Sequence, residues 1–341
     1  MIIKDLSISP ISQKFIKDLK TFNFIHSDRD SWIIKITTQE GYVGYGEASP
    51  IPNFNDETFE ASGYALEGFK LALKGVHNIE IDEMMILTKA HTLEAPSANF
   101  AIETALYDIL SQKKKLPLCK FLNSKALSKI SVNGVYQLTD LNNYSVIKVK
   151  CGFRNLYDEI ELLAELSEKY GDSVRFIIDL NQAYDLPKAI RFFKEMARFN
   201  IEYIEQPIKK NNFEDLLELR FHSDIPIALD ESIDSVQSIN NALSINCGDI
   251  FIIKPQSIGS FSEIKKAVQL VKSANKIPII TSSLEGIIGR LSAMHLSSSN
   301  LIMDNCGLLM EPIYKGEENI IPKINNGILD IPNNIGLGYC K

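Results

Sequence analysis

The stretch VRFIIDLN, residues 174–181, shows the pattern that decides the fold. It is a short apolar run that ends in one acidic residue, Asp179, and a helical pattern follows it. Similar runs recur through the second half of the chain, between residues 130 and 305: ISVNGVY, SVIKVKCG, IEYIEQP, IPIALDES, DIFIIKPQ, KIPIITSS and LIMDN. Short apolar strands that alternate with helices are typical of parallel βαβ units, and eight such strands can close a barrel. The sequence therefore predicts an α/β fold built on a modified TIM-type (β/α)7β barrel.

An open, doubly wound parallel sheet is the competing arrangement. Nucleotide-binding sheets of that kind carry a glycine-rich loop of the form GxGxxG or GxxxxGK[ST] after a strand. No strand of this sequence is followed by such a loop. This favours the closed barrel.

The first part of the chain has a mixed pattern. Two β-rich runs, residues 32–38 and 42–47, flank the tripeptide QEG and predict a hairpin. We expect residues 1–95 to form an α+β capping domain and residues 96–306 to form the barrel that carries the catalytic residues. The C-terminal segment, residues 307–341, is expected to pack back on the capping domain and complete it.

Composition excludes several classes of protein. The 341 residues are 45% hydrophobic and 23% charged, which is typical of a globular protein. A formal net charge of −7 without a basic stripe gives no support to nucleic-acid binding. No apolar run approaches the ~18 residues of a membrane helix, and the 5 cysteines lack metal-binding spacing. We therefore expect a cytoplasmic protein without nucleic-acid or membrane partners, and the sequence leaves the oligomeric state open.

Five charged residues interrupt the apolar strands, each near the C-terminal end of its strand. Successive members are about one βα unit apart, so five consecutive strands each offer one charge to the same end of the barrel. Barrel enzymes place their chemistry at that end. The residues are Lys150, Asp179, Glu205, Asp230 and Lys254.

The three acidic members come from three neighbouring strands. Taken singly, an acidic residue at a strand end is explained as a helix N-cap or a turn former. Together, Asp179, Glu205 and Asp230 would line one wall, and carboxylate oxygens suit a hard divalent cation. The predicted cofactor is Mg²⁺, for which Mn²⁺ could substitute, and the predicted ligand is a small anionic carboxylate.

The lysines suggest proton transfer at carbon. Lys150 and Lys254 lie on the second and sixth of eight strands, so they would face each other across the bound ligand. Lys148 points the same way as Lys150 because side chains alternate along a strand. A second ammonium on that face disfavours protonation of Lys150. The interpretation is that Lys150 is the base and that Lys148 tunes it.

These motifs resemble those of the enolase superfamily, and specifically of its muconate-lactonizing subgroup. Within that subgroup the closer likeness is to the o-succinylbenzoate synthase family, through GEASPIPNF, TSSLEGIIG and CGLLM. The matching pieces of the superfamily are KVK at 148–150, DLNQAY at 179–184, EQP at 205–207, DES at 230–232 and KP at 254–255.

The resemblance implies a lyase of menaquinone biosynthesis. Its reaction is the Mg²⁺-dependent syn dehydration of a cyclohexadiene carboxylate that carries a hydroxyl and a succinyl side chain, giving o-succinylbenzoate through a metal-stabilised enediolate. Lys150 would remove the α-proton and then help hydroxide to leave, while Lys254 stays cationic. The metal ligands would be Asp179, Glu205 and Asp230, with Asn181 and Glu231 hydrogen-bonded around them.

The same resemblance predicts substrate contacts from the capping loops and the last strands. Phe24 and Pro52 would close over the ligand. Ser282, Ser283 and Gly307 would receive the succinyl carboxylate through hydroxyl and backbone N–H groups. The competing interpretations are that the two serines cap the next helix and that Phe24 belongs to the core of the small domain.

Two departures from the family pattern bear on the reaction. Tyr184 stands where the family's DxNxxW motif has Trp, which we interpret as a packing change. Asp304 is followed by Asn305 and Cys306, so the Asp-x-Asp of the dipeptide-epimerase branch is absent. This disfavours an epimerase, but racemisation or epimerisation of an N-acylamino acid or a dipeptide by the same two lysines stays open as the alternative within the superfamily.

Two further hypotheses lie outside the superfamily's chemistry. One is a barrel in which Lys150 or Lys254 forms a Schiff base with a carbonyl substrate. It leaves the three acidic strand ends without a role. The other is a binding or structural barrel without activity, which leaves the charges inside apolar strands unexplained.

Overall fold

The computed structural model describes residues 2–20, 25–51, 54–73, 81–317 and 321–339. It contains three sheets and the helices that pack on them. The strands are β1 (Ile3–Lys20), β2 (Ile25–Thr38), β3 (Val43–Ala48), β4 (Lys129–Ser131), β5 (Gly134–Val135), β6 (Val146–Lys150), β7 (Arg175–Asp179), β8 (Ile201–Glu205), β9 (Ile227–Leu229), β10 (Ile250–Ile253), β11 (Ile277–Ile280), β12 (Ile324–Asn325) and β13 (Ile328–Asp330).

The helices follow the strands in the order that βαβ units require. They are α1 (Phe59–Ala72), α2 (Ile81–His91), α3 (Pro96–Lys113), α4 (Leu118–Leu122), α5 (Leu156–Tyr170), α6 (Leu186–Met196), α7 (Phe213–Arg220), α8 (Val236–Ile245), α9 (Pro255–Ile258), α10 (Phe261–Ser273) and α11 (Ile287–Ser299). Between β5 and β6 the connection has a short 3-10 turn at Leu141–Asn143 in place of an α-helix.

A closed barrel is formed by seven parallel strands and one short eighth segment. The parallel sheet has the order β5, β6, β7, β8, β9, β10, β11. Cys306 pairs with Val132 beside β5, and Gly307 pairs with Thr281 just after β11. The predicted barrel is confirmed. Its closing strand pairs at residues 306–307, directly after the apolar run 301–305 from which the strand was predicted.

The strands are buried on both faces because they are almost wholly apolar. Each fully buried Ile or Val contributes about 1.5–3 kcal/mol to the free energy of folding. A compact cluster fills the inside of the barrel, and a larger one lies between the strands and the outer helices. The inner cluster consists of Val146, Ile177, Tyr203, Ala228, Ile250, Ile252 and Ile279.

Helix α6 shows how the sequence fixes the outer layer. Its N-cap Asp185 accepts a hydrogen bond from the Lys188 backbone N–H, and Pro187 lies in the first turn, where a missing N–H costs nothing. The helix is amphipathic, so one stripe faces the barrel. The buried stripe is Ala189, Phe192, Phe193 and Met196.

The N-terminal sheet is antiparallel, in the order β1, β2, β3. The predicted hairpin is present: Thr37 pairs with Val43 across the turn. Helix α3 lies so close to β3 that a Cβ at Gly46 would collide with the carbonyl of Ala101, which explains the glycine. This sheet and helices α1, α2 and α3 share a second hydrophobic core.

The C-terminal segment contacts both parts of the molecule. Tyr314 pairs with Phe15 of β1, and the Ile16 N–H donates to the Ile313 carbonyl at 2.8 Å. Strand β13 instead pairs with β4 on one side and with β12 on the other. In the described ranges, no helix has the length and apolar character needed to cross a membrane.

Candidate active site

The five predicted charges lie at one end of the barrel. Lys150, Asp179 and Glu205 are the last residues of β6, β7 and β8 and are direct register partners across the sheet. Asp230 follows β9 and Lys254 follows β10 without a gap. The strand register therefore sets the five residues at the same level. The alternation of side chains along each strand decides the side of the sheet that they face.

Lys148 and Lys150 point to the same side, as the spacing predicts. The Lys148 Nζ lies 2.7 and 2.8 Å from the two carboxylate oxygens of Glu205 and 3.0 Å from Oδ2 of Asp179. The Lys150 Nζ lies 3.2 Å from the same Asp179 oxygen. Two ammonium groups thus meet on one carboxylate.

Lys254 occupies the opposite wall. Its strand, β10, is four strands from β6 in the sheet, which is half of an eight-strand ring. The ammonium forms an ion pair with Asp230, and the ring of Phe54 lies 4.4 Å from it, measured to the centroid. Lys150 and Lys254 are therefore held by different carboxylates on different sides of the barrel mouth.

Asn181 and Glu231 connect these groups. Asn181 accepts a hydrogen bond from Lys150 Nζ at 2.9 Å and donates to Glu231 Oε1 at 3.2 Å. Its backbone has φ of 42°, a left-handed conformation that Asn tolerates better than most residues. The second oxygen of Glu231, Oε2, is buried and has no hydrogen-bond partner among the described residues.

Burial and charge together set the ionisation of the site. Burial disfavours the ammonium of Lys148, but the charges of Asp179, Glu205 and Asp230 outweigh it and hold the pKa of Lys148 well above its ordinary value. Burial also works against ionised Asp179, yet Lys148 and Lys150 keep the pKa of that carboxyl well below its usual range. Lys148 therefore stays charged, with its charge directed at two carboxylates. Its predicted effect on Lys150 stays a prediction.

The neighbouring cations do not fully compensate the ionised form of two carboxyls of the site. Burial and the charges of Asp179 and Asp230 raise the pKa of Glu205 to about 8, although Lys148 and Lys254 act in the opposite direction. Burial and the charges of Asp230 and Asp179 raise the pKa of Glu231 to about 7. An additional positive charge at this wall would relieve both groups.

The donor set fits a hard divalent cation, although the lysines now occupy it. Asp179, Glu205 and Asp230 offer carboxylate oxygens from adjacent strands, and Glu231 adds a buried oxygen without a partner. Ammonium groups of Lys148 and Lys254 lie on the oxygens of these residues. Accordingly, within the described ranges no three or more His, Cys, Asp or Glu side chains are arranged to hold a metal ion as they stand.

The predicted substrate contacts are only partly brought together. Ser282 donates from its hydroxyl to the Gly307 carbonyl at 3.2 Å. The Ser283 hydroxyl is buried and lacks a hydrogen-bond partner in the part of the chain that the structure describes. Neither serine caps α11, whose N-cap is Gly286. Phe24 and Pro52 lie outside the described residues.

Sequence reasoning missed Gln206, which links two of the strand-end loops. Its Oε1 accepts from the backbone N–H groups of Asp230, at 2.9 Å, and Ser232, at 3.1 Å. This fixes the turn that presents Asp230. The available signal was its place between Glu205 and Pro207 in the motif EQP.

Asp304, which begins the sequence compared with the Asp-x-Asp motif of the epimerases, lies far from the site. Asp304 lines a cavity of about 510 Å³ at the N-terminal ends of β9, β10 and β11, together with Arg220 and Asp249. This is the opposite end of the barrel from Asp179 and Lys254. Asp304 therefore carries no information about the ligand.

Family models match almost the whole chain. The model described as "Enolase C-terminal domain-like" matches residues 133–340, and the one described as "Mandelate racemase / muconate lactonizing enzyme, N-terminal domain" matches residues 25–123. These ranges contain the barrel site and most of residues 1–95, the predicted capping domain. The resemblance inferred from KVK, EQP and DES is thereby confirmed.

Similar proteins include enzymes of more than one activity. The hydrophobic dipeptide epimerase of Enterococcus faecalis is 28% identical over 79% of this chain and 79% of its own length. Muconate cycloisomerase 1 of Pseudomonas putida is 26% identical over 90% of this chain and 86% of its own. A solved structure of the Enterococcus faecalis dipeptide epimerase, complexed with Mg and the dipeptide L-Leu-L-Tyr, has a TM-score of 0.88, 24% identity and 99% coverage of both chains.

The predicted lyase reaction is wrong, and with it the predicted place in menaquinone biosynthesis. Relatives that match most of this chain are epimerases, several of them L-Ala-D/L-Glu epimerases, and not dehydratases. The stretches that suggested the dehydratase serve the fold: Cys306 and Gly307 close the barrel, and Gly286 and Gly289 at the start of α11 donate to the buried carboxylate of Glu47. The chain belongs to the enolase superfamily, in its muconate-lactonizing subgroup.

Proposed function

We propose that this protein is a racemase or epimerase that inverts the α-carbon of an amino-acid residue in a small carboxylate substrate, with dipeptides as the first substrate class. The observation that carries the proposal is the position of two lysines, Lys150 and Lys254, on strands half a ring apart and on either side of the buried carboxylates. The dipeptide epimerases among the relatives support the same class.

Asp179, Glu205 and Asp230 would hold Mg²⁺, and Mn²⁺ could replace it. When bound, the cation would draw electron density from the substrate carboxylate and so acidify the neighbouring α-proton. The uncompensated charge on Glu205 and Glu231 supports a cation at this wall. The Mg complex of the Enterococcus faecalis relative agrees with this choice of metal.

The two lysines would divide the proton transfer between the two faces of the α-carbon. In one direction neutral Lys150 takes the proton: a C–H bond breaks and an N–H bond forms at its Nζ. The ammonium of Lys254 then delivers a proton to the opposite face, which breaks an N–H bond and forms the new C–H bond. The reverse direction exchanges the two roles.

The neighbouring groups would keep the amines in place. Asn181 accepts from Lys150 on one side, and Asp230 holds Lys254 on the other. Lys148 anchors Asp179 and Glu205 and adds a fixed positive charge next to Lys150. A group held in this way loses little orientational freedom when the substrate binds.

Racemisation of N-acylamino acids is a second candidate, and the eighth strand favours it. A dipeptide presents a free ammonium, which needs an anionic partner in a site closed to water. The top of the eighth strand reads Cys306, Gly307, Leu308 and Leu309, without an acidic residue. An acylated amine needs no such partner.

A substrate panel in deuterated solvent tests the proposal. The purified protein with Mg²⁺ would be incubated with apolar dipeptides, acidic dipeptides and N-succinyl or N-acetyl amino acids, and proton NMR would follow the α-position. We expect deuterium to enter with inversion for at least one class. A protein that neither inverts nor exchanges any α-proton in the panel would refute the proposed function.

A further inference from the structure

Residues 54–58, directly before α1, are called the capping loop, and Phe54 of this loop reaches the catalytic end of the barrel. Its ring lies 4.4 Å from the Lys254 ammonium, and the side chain is buried, with 4% of its surface exposed. Its backbone N–H donates to the Ile51 carbonyl at 3.2 Å. The face of an aromatic ring attracts a cation, so this contact helps to hold the ring and the Lys254 side chain together.

Lys210 ties this loop to the barrel. Its Nζ donates to the Phe54 carbonyl at 2.9 Å. The bond reaches the backbone of Phe54, so it fixes the loop as well as the ring. Within the described ranges, no carboxylate lies within ion-pair distance of this ammonium, and the Phe54 carbonyl is its hydrogen-bond acceptor.

Lys210 is itself anchored beside the site. Its backbone N–H donates to Oε1 of Gln182 at 2.9 Å, and the Gln182 N–H donates to the Gln206 carbonyl at 2.8 Å. Gln182 and Gln206 both have positive φ, so these two loops follow a path that few sequences adopt. The loops that follow Asp179 and Glu205 therefore carry the group that holds the capping loop.

We propose that Lys210 is a positioning residue that holds Phe54 against Lys254 and so keeps the capping loop against the barrel. What the inference says about the substrate rests on the proposed function. The Phe54 ring forms an apolar wall beside Lys254, so we expect the substrate group on that side of the α-carbon to be apolar. The contact between Lys210, Phe54 and Lys254 does not depend on that function.

The first test measures the contact without substrate. The Mg²⁺-loaded full chain, labelled with carbon-13 at the lysine ε-position, would be compared by NMR with the variants Lys210→Met and Lys209→Met. A ring above an ammonium shifts the Lys254 ε-protons upfield, and Phe54→Leu would identify that shift by removing it. We expect Lys210→Met to reduce the shift, and Lys209→Met, the same change at the exposed neighbour, to leave it.

Amide hydrogen exchange of residues 54–57, measured in the same samples, tests whether Lys210 keeps the capping loop against the barrel. We expect roughly tenfold faster exchange in Lys210→Met, since a charge-assisted hydrogen bond is lost, and partial recovery in Lys210→Arg. If Lys210→Met exchanged these amides at the wild-type rate and left the Lys254 shift unchanged, the inference would be overturned, whatever the activity of the protein.

The kinetic test uses a substrate identified in the panel. Lys210→Met should raise KM roughly tenfold and change kcat much less, because it loosens the loop and leaves both amines in place. A fall in kcat at unchanged KM would contradict a positioning role. If no member of the panel is turned over, the proposed function fails, and the two measurements without substrate still decide the role of Lys210.

Discussion

The two ends of the barrel carry similar ion pairs in different surroundings. At the N-terminal end Asp249 meets Arg220 at 2.5 Å and Lys276 at 3.1 Å, and the side chains of Arg220 and Asp249 are 25% and 28% exposed. At the C-terminal end Lys148 meets Asp179 and Glu205, which are 2% and 1% exposed. Exposed pairs are worth about 0–1 kcal/mol, whereas buried charges cost several kcal/mol unless they are fully matched. Of these two ends, the C-terminal one holds buried carboxyls whose ionised form is poorly compensated. Such a cost in free energy is typical of a functional site.

Removal of either opposed lysine should have the largest effect on activity. Lys150→Ala and Lys254→Ala should each lower epimerisation by roughly 10²–10⁴-fold, because each lacks the amine for one face. Each variant should still exchange the α-proton of one epimer without inverting it, since the remaining amine reaches one face only. Proton NMR in deuterated solvent measures both rates, and thermal unfolding confirms that the variants fold. Exchange of both epimers by both variants would contradict a division of labour between the lysines.

Removal of divalent metal should have the next largest effect. Chelation should lower activity by about 10³-fold, a loss of several kcal/mol in transition-state stabilisation, and Mg²⁺ should restore it. Saturating Mg²⁺ at about 100 times its dissociation constant should stabilise the fold by about 2.7 kcal/mol. The increase in Tm should be smaller in Glu205→Gln. Full activity after complete chelation, or no change of Tm with Mg²⁺, would speak against a cation at these carboxylates.

Burial of a carboxyl also costs free energy outside the site, and this cost should appear as a pH dependence of the free energy of unfolding. Glu103 on α3 accepts a hydrogen bond from the Phe261 N–H at 2.8 Å, and burial raises its pKa to about 7 from the ordinary value of 4.5. Because the folded pKa is the higher one, the stability from this group is fully present below pH 4.5 and is lost as the pH rises toward 7. Relative to Glu103→Gln, wild-type protein should lose up to about 3 kcal/mol of unfolding free energy over that range. Urea unfolding at several pH values measures the difference.

The control for that experiment is Glu165→Gln, which changes an exposed glutamate on α5. It should follow the pH dependence of the wild type. A constant difference between wild type and Glu103→Gln at every pH would mean that folding does not change the pKa of Glu103, and that burial alone does not raise the pKa of a carboxyl in this fold.

The smallest effect is expected at the N-terminal end. Asp249→Asn removes the charge that Arg220 and Lys276 share and keeps an oxygen for the Ile227 N–H. Because these side chains reach solvent, the free energy of unfolding should fall by only about 1 kcal/mol, and activity should not change. Urea unfolding and the deuterium assay together check this. A large loss of activity would mean that the two ends of the barrel are coupled.

The barrel and its five charges could be predicted because both depend on local spacing. Apolar runs such as VRFIID alternate with helical patterns at a constant interval, so strand ends recur at one level. Asp179 and Glu205 needed only that interval to be placed side by side. The reaction could not be predicted in the same way, because a base, its opposed amine and a cation site serve dehydration and epimerisation equally well. What differs is the pocket around the substrate, and residues 24 and 52, on which that prediction drew, lie outside the described residues.

The sequence alone determined the strand order, the direction in which Lys148 and Lys150 point, and the set of carboxylates at the barrel mouth, because period-two alternation and βα spacing are properties of neighbouring residues. Only the tertiary structure decided that Gly307 closes the ring against Thr281, that Asp304 lies at the far end, and that Lys210 reaches the carbonyl of Phe54. Each of these facts joins residues that are distant in the chain. Such contacts depend on how the loops fold over the barrel, and no local pattern encodes that path.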